Sequence, residues 1–301
     1  MFLQFELWKD CRHNCPFCCN RDIPHVRDKL ESLRFAKEKI EEVGNCDSIS
    51  LIGGEFFDGQ LESRKIQWAF EDLLVSIAYR IKYGHTERGL ICTSLMYGDE
   101  TRLLHACGLL RFFGVANRFL LCTSWDTAYR FNPVTRKHWE ENVKILHDLY
   151  PEIPLHVEII MTQAFIDSYL KGEFTVKGFE EKWGCRVDFN TPYVPFIKFK
   201  DKADMEDNLP GFFPKRADFF RLLEKADSSG DIDLNTLLSV SQHSTNLYYT
   251  LDDETWLHMG DRHKQNNTCL RQGPCTKKCC GYIDSDNTLR EDVVAFLELK
   301  A

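Results

Sequence analysis

Two periodicities of apolar residues alternate along the first two-thirds of the chain. Short runs rich in Ile, Leu, Val and Phe, with few charges, predict strands over 2–7, 47–52, 89–95, 118–123, 155–161 and 186–189. Such runs are expected where helices cover a sheet on both faces. Between them, apolar residues at three- and four-residue spacing predict helices over 29–42, 63–82, 100–113, 135–149 and 165–171. In the second helix Ile66, Ala69, Phe70, Leu73, Leu74, Ile77 and Ile81 form one stripe, with Gly84 as a stop. In the fourth, Trp139, Val143, Leu146 and Leu149 mark the buried face, and Pro151 ends the pattern. Six successive β–α units imply a parallel sheet with right-handed crossovers. Six is short of the eight of a closed barrel, so the pattern alone leaves an open doubly wound sheet and an incomplete barrel as alternatives.

The pattern changes near residue 196. Residues 196–214 read as a connection, 216–226 as a helix, 228–231 as a turn and 247–251 as a strand. A cysteine-rich stretch and a helix over 289–299 follow. The expected organisation is a core of residues 1–196 and a small extension of residues 197–301.

Net charge is −8, so no broad basic face is advertised and a nucleic-acid partner is not expected. No segment approaches the roughly 20 apolar residues that span a bilayer, and the first ten residues lack the signature of a signal peptide. A cytoplasmic location without membrane association is the expectation. Thirteen cysteines change the picture. They suit either a secreted disulfide framework or thiolate ligands in a reducing compartment. The odd count, the missing export signal and the clustering at both ends favour metal ligation. Cys46, Cys92, Cys107 and Cys122 sit in apolar contexts and are expected to be buried small hydrophobes.

Cys11, Cys15 and Cys18 follow directly on the first predicted strand, as C-x3-C-x2-C. Three thiolates at this spacing can hold three irons of a cubane and leave the fourth open to a small molecule. Taken alone, the spacing also suits half of a zinc site. Cys19 falls outside the frame. One β–α unit later, the second strand ends in Gly53-Gly54-Glu55. Two glycines let backbone approach a ligand closely, and a carboxylate at a strand end can pair with an ammonium.

The cysteine spacing, the aromatic Phe17 before the third cysteine, and the Gly-Gly-Glu stretch together resemble the radical S-adenosylmethionine (SAM) superfamily. The resemblance covers about residues 1–195 and implies a partial (β/α)6 barrel. It further implies that Cys11, Cys15 and Cys18 hold a 4Fe–4S cluster, and that Gly53, Gly54 and Glu55 receive the methionine amino group of SAM. Phe17 and Ser94, at the end of the third strand, are also placed near the cofactor by the resemblance. The stretch Ser124-Trp125-Asp126 resembles the Ser-Leu-Asp-Gly of the peptide-modifying branch. By that likeness Ser124, Asp126 and a following arginine, Arg130 or Arg136, would contact SAM. The implied chemistry is reductive cleavage of SAM to a 5′-deoxyadenosyl radical that abstracts hydrogen from a substrate.

The C-terminal cluster Cys269, Cys275, Cys279 and Cys280 resembles the end of the SPASM extension, which in relatives holds auxiliary clusters. No upstream cysteine-rich half is present. A second iron–sulfur cluster, a structural zinc and unmetallated thiols all remain open, with Cys280, Cys185, His258 or His263 as the fourth ligand of a metal. The expected function is a radical SAM enzyme acting on a peptide or protein side chain, served by a reductase or a flavodoxin- or ferredoxin-type electron donor. A small-molecule or nucleobase substrate is the second reading, and a zinc-stabilised binding protein without catalysis is the third.

Overall fold

The computed structural model describes residues 2–8, 10–13, 15, 28–59, 63–126, 128–190, 207–212, 214–234, 237, 246–250, 257–258 and 292–299. Strand β1 (Phe2–Glu6) leads through the cysteine loop to helix α1 (Lys29–Glu42), and the alternation then continues without interruption. It runs β2 (Cys46–Ile52), α2 (Arg64–Lys82), β3 (Thr86–Cys92), α3 (Thr101–Phe112), β4 (Phe119–Trp125), α4 (Pro133–Leu149) and β5 (Leu155–Ile160). Two short helices, α5 (Gln163–Lys171) and α6 (Val176–Trp183), precede β6 (Arg186–Asn190). Beyond them lie α7 (Arg216–Ser229), β7 (Asn246–Thr250), β8 (Leu257–His258) and a helix over 292–298.

The sheet order is β6-β5-β4-β3-β2-β1-β7-β8. Strands β1 to β6 are parallel neighbours in chain order, the arrangement of a partial (β/α)6 barrel. Strand β7 adds to the far side of β1, also parallel, and β8 returns antiparallel to it. The extension after residue 196 therefore contributes strands to the same sheet. Its helix α7 is also tied to α5, where Lys225 Nζ donates to the carbonyls of Tyr169 and Leu170 at 2.7 and 3.1 Å.

Register divides the strands into two faces, and here the structure corrects the expectation of a sheet covered on both. Leu3, Phe5, Ile49, Leu51, Ile91, Phe119, Leu121, Val157, Ile159, Val187 and Phe189 point to the helices and are buried. The alternate residues Gln4, Ser50, Cys92, Ser124, His156 and Glu158 are only half-buried, and Arg186 and Asp188 are exposed. Helices cover one face; the other, the inner face of the partial barrel, carries these polar side chains.

Local chemistry sets the element ends. Helix α4 starts at Pro133 rather than at 135, because Asn132 caps it, accepting from Val134 N and Thr135 N at 2.9 Å each. The predicted third strand ends at Cys92 and not at 95, since Thr93 to Tyr97 turn out of the sheet and Leu95 has a φ of 56°.

Candidate functional site

The first ladder of the sheet does not stop with β1. Leu7 N donates to Ile52 O at 3.0 Å, Gly54 N to Trp8 O at 2.6 Å, and Glu55 N to Asp10 O at 2.9 Å. The backbone leading into Cys11 is thus paired along the Gly-Gly-Glu stretch. This pairing is what the two glycines permit. A Cβ on Gly53, whose φ is +145°, would lie 2.1 Å from Trp8 O, and one on Gly54 would lie 1.9 Å from Asp10 O. Below the loop, Trp8 packs edge-on to Phe56 at 4.9 Å and Phe70 at 6.1 Å. Lys29 pairs with Asp10 at 2.7 Å, and Arg12 with Asp58 at 3.7 Å. The cysteine loop therefore leaves the C-terminal end of β1 on a fixed backbone, with Cys11 exposed and Cys15 buried.

Glu55 is held inside the protein by the turns around it. Its side chain has no exposed surface. Its carboxylate accepts from Phe57 N at 3.0 Å, Thr93 Oγ1 at 2.9 Å and Ser94 N at 2.6 Å. Burial raises this carboxyl above its usual range, against the pull of those donors. The group ties the stretch after β2 to the turn after β3. Ser94 is engaged in the same turn, its hydroxyl accepting from Met96 N at 3.2 Å. Asn142 Nδ2 closes the turn from α4, donating to Leu95 O and Tyr97 O at 3.0 and 2.9 Å.

At the end of β4, Ser124 is half-buried on the lumen face. Asp126 is buried, and its carboxylate accepts from the backbone N–H groups of Ala128, Tyr129 and Arg130. It shapes the loop that carries Arg130. The Arg136 guanidinium lies 4.9 Å over the Trp125 ring and 3.8 Å from Glu140. Of the two arginines left open by the sequence, Arg130 is the one near the cysteine loop. Its charge acts on the ring of His13, between Cys11 and Cys15. Burial first, then Arg130, holds the His13 imidazole down to about 4, so the ring is neutral near pH 7. Both His13 Nε2 and Arg130 Nε are buried without a hydrogen-bond partner among the described residues.

The lumen adds groups that the sequence reading missed. His156 Nδ1 lies 2.9 Å from Asp188 Oδ2 on the next strand, and this contact lowers the Asp188 carboxyl below its usual range. Glu158 stands opposite Asp188 and Ser124 in register. The strict alternation of Leu155-His156-Val157-Glu158-Ile159 was the signal that could have found them.

The thiols divide by environment, and none of the described cysteines is in a disulfide. Cys46, Cys107 and Cys122 are buried, as expected, and so is Cys185. Burial pushes the Cys107 and Cys185 thiols up to about 12. In metal-free protein at pH 8, iodoacetamide should therefore modify exposed Cys11 quickly. Cys107 and Cys185, with about one part in ten thousand as thiolate, should stay unmodified until the chain unfolds. Peptide mass spectrometry checks the order. Phe17, Cys18, Cys269, Cys275, Cys279, Cys280 and His263 lie outside the described residues. Among the described residues, no three His, Cys, Asp or Glu side chains converge on a metal position. Among them too, no helix is long and apolar enough to cross a membrane.

No family model and no curated protein matches the chain. Among solved structures it is similar to native anSMEcpe with bound AdoMet and Cp18Cys peptide, at a TM-score of 0.51 and 18% identity. That likeness covers 80% of this chain and 65% of the other, so the chain spans less than two-thirds of that protein. A second match is Streptococcus suis SuiB bound to S-adenosylmethionine, at a TM-score of 0.48 and 11% identity, covering 93% and 67% of the two chains. The first likeness establishes a shared fold, the partial barrel described above.

Proposed function

We propose that this chain is a radical SAM enzyme that modifies a peptide or protein side chain. One observation carries the reading: the Cys11–Cys15 loop stands on the C-terminal end of β1, pinned along Gly53–Glu55, beside buried nitrogens that lack partners among the described residues. Ligands in such folds bind outside the carboxyl ends of parallel strands. Buried donors without acceptors fit a polar small molecule seated against the loop. The cysteine spacing supports Cys11, Cys15 and Cys18 as ligands of a 4Fe–4S cluster with one iron open to SAM. When bound, these groups supply one-electron cleavage of SAM and hydrogen-atom abstraction from the substrate.

The chain's own residues position and enclose. Trp8, Phe56, Phe57 and Phe70 form an apolar bed that keeps water from beneath the loop. Glu55 and Asp126 fix the turns at the ends of β2, β3 and β4. The concave face offers Ser124, His156, Glu158 and Asp188 to a polar substrate, which favours a peptide over an apolar metabolite. The fold shared with a structure holding AdoMet and a peptide supports that substrate class. The C-terminal cysteines Cys269, Cys275, Cys279 and Cys280 belong to the proposal as a second metal centre.

Metal analysis tests both sites. Anaerobically reconstituted wild-type chain should contain iron and sulfide and lose its visible absorption on reduction. A Cys11/Cys15/Cys18 triple-alanine variant should retain the C-terminal metal alone. Iron with sulfide in that variant means an auxiliary cluster, and zinc without sulfide means a structural site. A wild-type chain holding only zinc would overturn the enzyme reading.

A further inference from the structure

We propose that Cys92 and Cys122 form a redox-active dithiol on the inner face of the sheet, in which Cys92 exchanges with low-molecular-weight disulfides and Cys122 then closes a cross-strand disulfide. The inference is independent of the radical SAM reading. It starts from a difference among the thiols in apolar sequence contexts: Cys46, Cys107 and Cys122 are buried, whereas Cys92 is half-buried.

Register brings the pair together. Cys92 ends β3 and is the Cα partner of Cys122 on β4. Their neighbours Ile91 and Leu121 are themselves partners and are buried on the helix side, so alternation turns both thiols to the inner face. Thr93 N donates to Cys122 O at 2.9 Å, which fixes the backbone at this step of the ladder. Adjacent strands lie about 4.8 Å apart. That falls within the about 4.4–6.8 Å that disulfides span between Cα atoms. The two thiols already interact. Contact with Cys92 comes first, and burial second, among the causes that hold the Cys122 thiol well above its usual range. Glu158 and Asp188, on the strands beyond, push the same way.

This asymmetry sets the order of events. An incoming disulfide RSSR meets Cys92, the thiol with solvent access. Its sulfur attacks, forming a mixed disulfide Cys92–S–S–R and releasing one RSH. Cys122 has then lost the neighbouring thiol that was the first cause of its raised pKa. Its sulfur attacks Cys92 Sγ, the Cys92–Cys122 bond forms and a second RSH leaves. The two protein thiols give up two electrons, one RSSR takes them, and both protons depart on the RSH. The new bond joins β3 to β4 directly before the turn that Glu55 holds through Thr93 and Ser94.

The test incubates the anaerobically reconstituted full chain with oxidised glutathione, blocks free thiols in denaturant and maps tryptic peptides. Residues 89–102 and 119–130 form two such peptides with one cysteine each, so their linkage is unambiguous. Wild type should yield the linked pair and lose it on treatment with dithiothreitol. Cys122→Ser should instead accumulate glutathione on Cys92, and Cys92→Ser should leave Cys122 unmodified. Wild type in which both peptides are recovered separately with blocked thiols, or in which Cys92 is joined to another cysteine, overturns the proposal. Glutathione on Cys122 in Cys92→Ser overturns the assigned order and the dithiol with it. The wild-type map needs no substitution, so it decides the matter even where a variant fails to fold.

Discussion

Alanine at Cys11 is expected to abolish iron loading at the N-terminal site while leaving the fold untouched. Cys11 is exposed, so removing its thiol empties no core position, and circular dichroism and melting should match wild type. The effect on the metal is total because three thiolates are the minimum that can hold three irons of a cubane. Cys15→Ala should lose the same iron, with a small additional cost in stability since that side chain is only 8% exposed. Cys18→Ala should behave like Cys11→Ala in iron loading. Cys19→Ala should load iron normally, because it lies outside the three-cysteine frame. The measurement is iron and sulfide per chain after anaerobic reconstitution. Loss of iron in Cys19→Ala with retention in Cys18→Ala would move the frame by one residue.

Glu55→Ala should destabilise the whole domain rather than merely weaken a ligand. The truncation leaves Phe57 N, Ser94 N and the Thr93 hydroxyl without their buried acceptor. Each such loss costs about 1–3 kcal/mol, and partial relaxation brings the sum to roughly 3–6 kcal/mol. That is a large share of the about 5–15 kcal/mol by which domains are stable. A fall in melting temperature on the order of 10 °C is expected for a chain of this size. Glu55→Gln keeps the volume and one good acceptor but turns an amide NH2 toward Ser94 N, so it should fall between alanine and wild type. An unchanged melting temperature in Glu55→Ala, with SAM affinity alone reduced, would return the carboxylate to the ligand-facing role expected from the sequence.

The contrast at Glu55 shows where sequence was a good guide. Helix α1 was legible to the residue, since Asp28 accepts from Leu30 N at 2.7 Å and an uninterrupted apolar stripe follows it. Helix α6 was missed: Val176, Phe179 and Trp183 span only two turns, with Gly178 among them, and its capping Thr175 and Gly184 were the better signals. The polar inner face was legible in principle from the alternation along β5 and β6, but strands rich in Val and Ile suggest cover on both faces. The end of β3 was not legible, because the carboxylate that Thr93 and Ser94 bond as they leave the sheet is Glu55, in the stretch after another strand. The same holds for Arg130 against Arg136. Both lie at a suitable distance after Ser124, and sequence does not show that Arg136 packs over the Trp125 ring beside Glu140. Local pattern specified the elements; contacts between strand ends were beyond its reach.

The central claim is that this chain cleaves SAM reductively, and the most direct measurement is 5′-deoxyadenosine, quantified by mass spectrometry. Reconstituted wild type would be incubated anaerobically with SAM and dithionite. The account predicts 5′-deoxyadenosine released in the presence of reductant, none without it, and none from Cys11→Ala under either condition. Wild-type protein that carries its full iron and sulfide, binds SAM, and still releases no 5′-deoxyadenosine when reduced would contradict it.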